Sequence, residues 1–214
     1  MLDWEKTMVI AVHPDDETLG CGGTLLKLKA MGKQTSWLIV TNTNGNPHYS
    51  DEFINKRNEE VEEVKGRYGF ESTYWLPFIA GELEEVKKIE IISAMNKAIN
   101  EFKPDTLFLP FPWDIHKEHN VAFEAALACT KVFRNSFVKR VFLMETPSET
   151  DFTPSNVVNP FTPNVFVDIS EYVDEKLDIM RIFESEVLPH PFPRSIESLR
   201  ALSTVRGGQA GCKA

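Results

Sequence analysis

The chain has 214 residues, of which 42% are hydrophobic and 26% are charged, and its formal net charge is -9. This composition supports a sizeable buried core and argues against an intrinsically disordered chain. The negative charge disfavours a nucleic-acid binder, because phosphate contacts need clustered lysine and arginine. Three scattered cysteines are too few for a disulfide framework or a four-thiolate zinc site, and they indicate a reducing compartment.

The sequence gives no sign of a membrane span or of a second domain. Residues 1–6 contain acidic side chains and no long apolar segment, unlike a signal peptide. The longest apolar runs fall far short of the roughly 18 residues that cross a bilayer. No repeat, low-complexity tract or linker divides the chain. We therefore expect a cytoplasmic protein with a single domain over residues 1–214.

Apolar runs that predict strands alternate with amphipathic stretches that predict helices. In chain order, these are strand 7–12, helix 17–31, strand 34–41, helix 51–68, strand 71–76, helix 84–102, strand 105–110, helix 120–133, strand 139–145, strand 164–169, helix 170–185 and helix 195–205. The alternation predicts an α/β fold whose mostly parallel sheet has helices on both faces. The loops after strands one, two and four then meet at one edge of the sheet.

A dense group of polar residues follows the first predicted strand. His13, Pro14, Asp15, Asp16 and Glu17 come directly after the apolar run 9–12. Active sites of open α/β sheets lie outside the carboxyl ends of the strands, so this loop is a candidate site. Three adjacent carboxylates repel one another unless a cation or a helix N-terminus offsets their charge.

A second polar group follows the fourth predicted strand, where a helix begins, and contains Asp114, His116 and His119. The two histidines are three residues apart, which places both imidazoles on one side of a helical turn. A catalytic divalent metal needs about three nitrogen or oxygen ligands and an open position. His13, one aspartate of the first loop and one histidine of the second group supply that set. The remaining carboxylate and histidine would be free for proton transfer.

The combination of the two motifs is specific, and it resembles the PIG-L/LmbE family of metal-dependent N-deacetylases, which act on N-acetylated amino sugars and their conjugates. The similar segments are 12–17, 20–24, 57–60, 114–119, 176–186 and 206–211. The resemblance implies a Rossmann-like sheet, bound Zn²⁺ (Fe²⁺ or another divalent ion also fits) and a small N-acetylated sugar conjugate as substrate. Family members often associate, so it also allows a homo-oligomer.

Carried over by position, the resemblance assigns roles to the polar residues of the two motifs. His13, Asp16 and His119 would be the metal ligands, and Asp15 would be the general base. His116 would face the oxyanion of the tetrahedral intermediate and protonate the leaving amine.

Several further residues are candidates for the site, each with a simpler alternative. Asp114 either orients an imidazole or caps the helix. Arg57 either contacts substrate or only pairs with Glu60, three residues along the same helix. Trp113 and His190 either line the sugar site or pack within their loops.

Two departures from the family pattern affect the site. Glu118 stands where the family usually has aspartate, which bears on how the metal ligands are oriented. Residues 41–45 replace the usual Thr-x-Gly-Glu segment after the second strand, which bears on contacts with substrate.

Two other functions are open at this point. Two histidines and one carboxylate are also the ligands of Fe(II) oxygenases, although a parallel α/β sheet argues against that class. The second alternative is a non-catalytic Rossmann-type module that binds a sugar or nucleotide. Its support is Gly20, Gly22 and Gly23 at a helix start, but their spacing does not match a pyrophosphate-binding loop.

Overall fold

Five parallel strands form the central sheet of the computed structural model, which describes residues 3–154, 156 and 159–214. The strands are β1 (Lys6–Ala11), β2 (Gln34–Asn42), β3 (Ser72–Ile79), β4 (Thr106–Leu109) and β5 (Arg140–Leu143). Their order is β3-β2-β1-β4-β5, and every neighbouring pair is parallel. The direction of winding therefore reverses between β1 and β4, which is where open α/β sheets bind ligands.

Helices cover the two faces of this sheet. They are α1 (Asp16–Ala30), α2 (Asp51–Tyr68), α3 (Lys88–Phe102), α4 (Lys117–Cys129), α5 (Val173–Met180) and α6 (Ile196–Ala210). Side chains alternate along β1, so Val9 and Ala11 join a core with α1, α2, α5 and α6, whereas Met8 and Ile10 join a core with α3 and α4. The predicted α/β class, with a parallel sheet between two layers of helices, is confirmed.

The predicted sixth strand, 164–169, is wrong, because no strand forms over these described residues. The backbone N–H of Ile169 donates to the carbonyl oxygen of Ala214. Ser170 Oγ accepts hydrogen bonds from the N–H groups of Lys213 and Ala214. The apolar residues of this segment are typical of a strand, but these contacts join it to the last residues of the chain instead of to a neighbouring strand.

Several predicted helices have different bounds in the structure: α5 is shorter, α6 is longer, α3 begins later and α4 begins earlier. α3 begins late because the N–H groups of Gly81 and Leu83 donate to the carboxylate of Glu118, which holds the turn before it. α4 begins early because Nδ1 of His116 accepts the backbone N–H of Glu118 and caps the helix. Among the described residues, no helix combines the length and apolar character that a bilayer crossing needs.

Candidate active site

The turn from β1 into α1 and the loop from β4 into α4 meet where the strand order of the sheet reverses. They bring together His13, Asp16 and His119, the three residues that the resemblance implies as metal ligands. One ligand atom of each residue lies within 4.8 Å of the others. Oδ2 of Asp16 is 3.4 Å from Nε2 of His119 and 3.9 Å from Nδ1 of His13.

Asp16 is held by the backbone at the end of β1. Its Oδ2 accepts hydrogen bonds of 2.9 Å from the backbone N–H groups of Val12 and His13. Burial by itself raises the pKa of this carboxyl, but His119, His13 and the two N–H donors lower the pKa below its ordinary value. The carboxylate is therefore charged and is fixed beside both imidazoles.

The imidazole of His119 is buried and has different neighbours at its two nitrogens. Nδ1 lies 2.8 Å from Oδ2 of Asp114, whose Oδ1 accepts a hydrogen bond of 2.6 Å from Thr150. Nε2 is buried and has no hydrogen-bond partner among the described residues. A nitrogen without a partner beside the carboxylate of Asp16 fits a bound cation. The Asp114–His119 contact is the kind of carboxylate–histidine pair that orients a metal ligand.

The charges around His119 also favour a cation at this place. Burial lowers the pKa of the imidazole, but Asp16 and the hydrogen-bonded Asp114 raise the pKa to about 9. In the metal-free protein the ring therefore binds a proton near neutral pH. A divalent cation would replace that proton, since only the neutral ring is a ligand.

Glu118 fixes the ring of His13. Its Oε2 lies 2.8 Å from Nε2 of His13, and its Oε1 accepts hydrogen bonds from the N–H groups of Gly81 and Leu83. Burial raises the pKa of Glu118, but the contacts with His13 and the two N–H donors lower the pKa to about 2. Because this carboxylate is charged, the neutral ring of His13 carries its proton on Nε2. Nδ1 carries no proton and faces Asp16.

His116 lies half-buried beside the ligand cluster, which consists of His13, Asp16 and His119, and its ring centroid is 4.7 Å from that of His13. Its Nδ1 accepts the backbone N–H of Glu118, so Nε2 carries the proton of the neutral ring. Burial and the neighbouring His13 and His119 lower the pKa of His116 to about 4. His13, His116 and Glu118 are a second group able to hold a cation, but Glu118 already accepts three hydrogen bonds, so the first group fits better.

Asp15 is the last residue before α1, and its φ of 133° costs backbone strain in a residue other than glycine. Its buried carboxyl group lines the cleft beside the ligand cluster, and Oδ2 accepts a hydrogen bond of 2.9 Å from Arg194. Burial and the charge of Asp16 raise the pKa of Asp15 well above its ordinary range, while Arg194 lowers it. A nearby dication would add to the effect of Arg194 and favour the charged carboxylate.

The ligand cluster opens into a cleft of about 410 Å³. Of the three predicted substrate residues, only Arg57 lines this cleft, and its guanidinium is paired with Glu60 and Glu186. Trp113 and His190 are exposed side chains outside the cleft lining. The structure thus brings Arg57 to the cleft and does not bring Trp113 or His190 there.

Besides Arg57, and Glu82 of the loop after β3, three charged residues outside the two polar motifs line the cleft: Glu149, Glu186 and Arg194. They come from irregular segments after β5 and α5, where no periodicity marks a position as buried. The only local signal is at Arg194, a basic residue directly before Ser195, which caps α6. The loops after β2 and β3, with β3 itself, supply further lining residues: Asn46, His48, Tyr49, Trp75 and Glu82.

A larger cavity, of about 480 Å³, lies between β5, α6 and the segment 161–169. Its lining is mostly apolar and, within the described chain, includes no histidine. The candidate acid–base and metal-binding groups therefore belong to the smaller cleft.

A family model described as PIG-L, GlcNAc-PI de-N-acetylase, matches residues 8–130. Among curated relatives, the chain is similar to the diacetylchitobiose deacetylase of Thermococcus kodakarensis. The two are 27% identical over 207 residues, which cover 92% of this chain and 74% of the relative.

Two solved structures share the fold. The conserved protein TT1542 from Thermus thermophilus is 28% identical with a TM-score of 0.76, over 100% of this chain and 91% of that one. The N,N'-diacetylchitobiose deacetylase from Pyrococcus horikoshii, complexed with its inhibitor MPG, is 23% identical with a TM-score of 0.75, over 99% and 81% of the two chains. Because the family model spans more than half of the sequence, the chain belongs to the PIG-L family of deacetylases.

Proposed function

We propose that the protein is a metal-dependent hydrolase that removes the acetyl group from an N-acetylated amino sugar or its conjugate. The observation that carries this proposal is the buried Nε2 of His119, which has no partner among the described residues and lies 3.4 Å from Asp16. Asp15, the candidate general base, lines the same cleft. Membership of a deacetylase family and the similarity to a diacetylchitobiose deacetylase support the reaction type.

In this proposal His13, Asp16 and His119 hold a divalent metal, and zinc is the first candidate. Two imidazoles and one carboxylate are usual ligands of a catalytic zinc ion, and Fe²⁺ accepts the same set. When bound, such an ion supplies a Lewis acid for the amide carbonyl and lowers the pKa of a coordinated water. Asp114 and Glu118 orient the two histidine ligands through their hydrogen bonds.

Asp15 accepts the proton of the attacking water and later gives it to the leaving amine. The resemblance implied His116 for the second step, but burial and the neighbouring imidazoles lower the pKa of His116 to about 4, so its neutral ring is a poor acid near pH 7. Its carboxylate lies next to the ligand cluster and is reached from the cleft. Amide hydrolysis gives acetate and an amine, so a single group that first takes and then gives a proton balances the reaction.

His116 stabilises the oxyanion as a hydrogen-bond donor. Its lowered pKa makes the ring neutral near pH 7, and its Nε2–H is free because Nδ1 accepts the N–H of Glu118. A neutral donor aimed at the developing negative charge lowers the barrier without a proton transfer of its own.

The cleft lining also bears on the substrate. Among the described residues, six carboxylates and two arginines line it, so it favours an uncharged sugar that becomes a cationic amine over an anionic substrate. Tyr49 and Trp75 supply aromatic surface of the kind that packs against sugar rings.

The glycines that supported a nucleotide-binding module have a packing explanation. A Cβ on Gly20 would lie 2.8 Å from Cβ of Met144, and one on Gly23 would lie 2.5 Å from Cδ1 of Ile169. These glycines let α1 pack closely against Met144 and Ile169, so their presence does not require a bound pyrophosphate.

A screen for acetate release tests the proposal. Metal-loaded protein would be incubated with N,N'-diacetylchitobiose, N-acetylglucosamine and N-acetylglucosaminyl conjugates, while acetate and free amine are both measured. We expect equal amounts of the two products from at least one substrate, with no dependence on oxygen. If fully loaded protein releases no acetate from any of them, the deacetylase proposal is wrong. Turnover that requires oxygen would indicate an Fe(II) oxygenase instead.

A further inference from the structure

Four charged side chains form a continuous series that ends on Asp15. Nη2 of Arg57 lies 2.6 Å from Oε1 of Glu186, and Oε2 of Glu186 lies 3.1 Å from Nη1 of Arg194. The same Nη1 lies 2.9 Å from Oδ2 of Asp15. Arg57 also donates a hydrogen bond of 3.2 Å to the carbonyl oxygen of Pro14. Two arginines therefore hold this turn. Arg57 binds the backbone carbonyl of Pro14, and Arg194 binds the carboxylate of Asp15.

The chain around Arg194 restricts where its guanidinium can lie. Pro193 has a fixed φ and restricts the backbone of Phe192 before it, and Ser195 caps α6 by accepting the N–H of Ser198. The guanidinium lies 5.8 Å from the ring centroid of Phe192, and the side chain is only 22% exposed. Arg194 is thus presented to the cleft in a defined position before any substrate binds.

The contact with Arg194 makes the two oxygens of Asp15 different. Oδ2 is bound by the guanidinium, whereas Oδ1 accepts no hydrogen bond from the described part of the chain. The backbone N–H of Asp15 donates to Oε2 of Glu17 at 3.1 Å, which holds the strained turn from its other side. Asp15 therefore has one anchored oxygen and one oxygen available in the cleft.

Building on the proposed function, we propose that Arg194 is the positioning residue of the general base: it binds Oδ2 of Asp15 and so holds Oδ1 in place to accept the proton of the attacking water. Glu186 holds the guanidinium from the opposite side and acts on Asp15 only through Arg194. The ionic contacts of Arg194 are with these two carboxylates and not with the residues of the ligand cluster. Loss of Arg194 misplaces the base, so it lowers turnover and leaves substrate affinity nearly unchanged.

The test compares steady-state kinetics of R194A and R194K with those of R200A. Arg200 is a matched control, because it lies on α6 and pairs only with the exposed Asp174 among the described residues. We expect R194A to lower kcat by about tenfold to a hundredfold with KM within about twofold of wild type and with full metal content. R194K should keep most of the activity, since an ammonium group can donate to both carboxylates. Added guanidinium should restore part of the kcat of R194A and should not raise that of wild type.

Two results would overturn the role of Arg194. One is an unchanged kcat in R194A, and the other is a loss confined to KM, which would make Arg194 a substrate contact. If R194A does not fold, E186Q is measured instead, because it removes the charge that binds the guanidinium of Arg194. An unchanged kcat in E186Q then overturns the proposal. If metal-loaded wild type releases no acetate at all, the proposed function is wrong and this role falls with it. An active wild type with an equally active R194A defeats only the role of Arg194.

Discussion

At the scale of single residues, His119 shows why this cleft is suited to a cation. Its Nδ1 contacts Asp114 and its buried Nε2 lies beside Asp16 without a hydrogen-bond partner in the described chain. In the metal-free protein the two carboxylates raise the pKa of the ring to about 9, so the imidazole of His119 is protonated near neutral pH. An imidazole that is oriented and buried in this way could bind a metal ion without changing its conformation.

His119 and Asp15 should separate metal binding from catalysis when each is replaced. H119A removes a proposed metal ligand, so we expect it to lose bound metal. D15N keeps all three ligands, so we expect full metal content with kcat lowered by about 100-fold or more, because a general base contributes about that much. Metal content by mass spectrometry and acetate release would be measured on both variants. A metal-free D15N, or a fully loaded H119A, would contradict these assignments.

The two polar motifs could be predicted from the sequence as parts of one candidate site, because each motif is continuous along the chain and follows a strand. His13, Asp15 and Asp16 follow one strand directly, and His116 and His119 share one helical turn. The positions of Glu149, Glu186 and Arg194 depend on how irregular segments fold back over the cleft. Local patterns carry no information about such tertiary contacts, so the sequence indicates at most that the segment around Arg194 could reach the pocket and does not indicate what these residues contact.

At the scale of secondary structure, α1 begins at the active-site turn and packs closely against Met144 and Ile169. Gly20 and Gly23 allow this, since a Cβ on either would lie under 3 Å from side-chain atoms of Met144 and Ile169. Gly66, within α2, has no atom within 4 Å of the place of its Cβ. The same residue type therefore has a packing function in one helix and none in the other.

Alanine substitutions in these two helices should have opposite effects on stability. G23A forces Ile169 to move, and we expect it to lower the free energy of unfolding by about 1–3 kcal/mol. G66A fills open space in a helix interior, and we expect it to raise the free energy of unfolding by up to about 1 kcal/mol. Urea unfolding of both variants would measure this. A G23A protein as stable as wild type would show that α1 does not need close approach there.

Prediction of the elements succeeded where the signals were local. α2 was predicted with correct bounds, because Ser50 caps its start and Gly69 ends it with a φ of 68°. The strand predicted over 164–169 does not form, because Ile169 and the adjacent Ser170 form hydrogen bonds with the distant residues 213–214. An apolar run shows that a segment is extended or buried, but it does not show what the backbone pairs with.

At the scale of the whole molecule, Lys176 links two helices of one core. It lies on α5, is buried, and donates a hydrogen bond of 3.0 Å to the carbonyl oxygen of Leu19 on α1. Burial lowers the pKa of its ammonium group from its ordinary 10.5 to about 8, although Cys21 and Glu145 oppose this shift. Folding therefore disfavours the charged form of this side chain.

The stability of the protein should depend on pH through Lys176. Because its pKa is lower in the folded state, this group destabilises the fold below about pH 8, and stability rises as the pH increases from about 8 to 10.5. The full effect is about 3 kcal/mol, because the pKa falls from 10.5 in the unfolded chain to about 8 in the folded protein. K176M should remove this part of the pH dependence, whereas K97M, at an exposed position on α3, should keep it. Urea unfolding between pH 7 and pH 11 would measure the difference. Parallel pH profiles for K176M and wild type would contradict the assignment.

The central claim is that the cluster of His13, Asp16 and His119 holds a divalent metal on which acetate release depends. The most direct measurement follows acetate release by one protein preparation before metal removal, after treatment with a chelator, and after the addition of one equivalent of Zn²⁺ or Fe²⁺, using the best substrate of the screen. We predict that activity disappears with the metal and returns at one equivalent, while H119A stays inactive throughout. Activity that persists in protein shown to be metal-free would contradict the account.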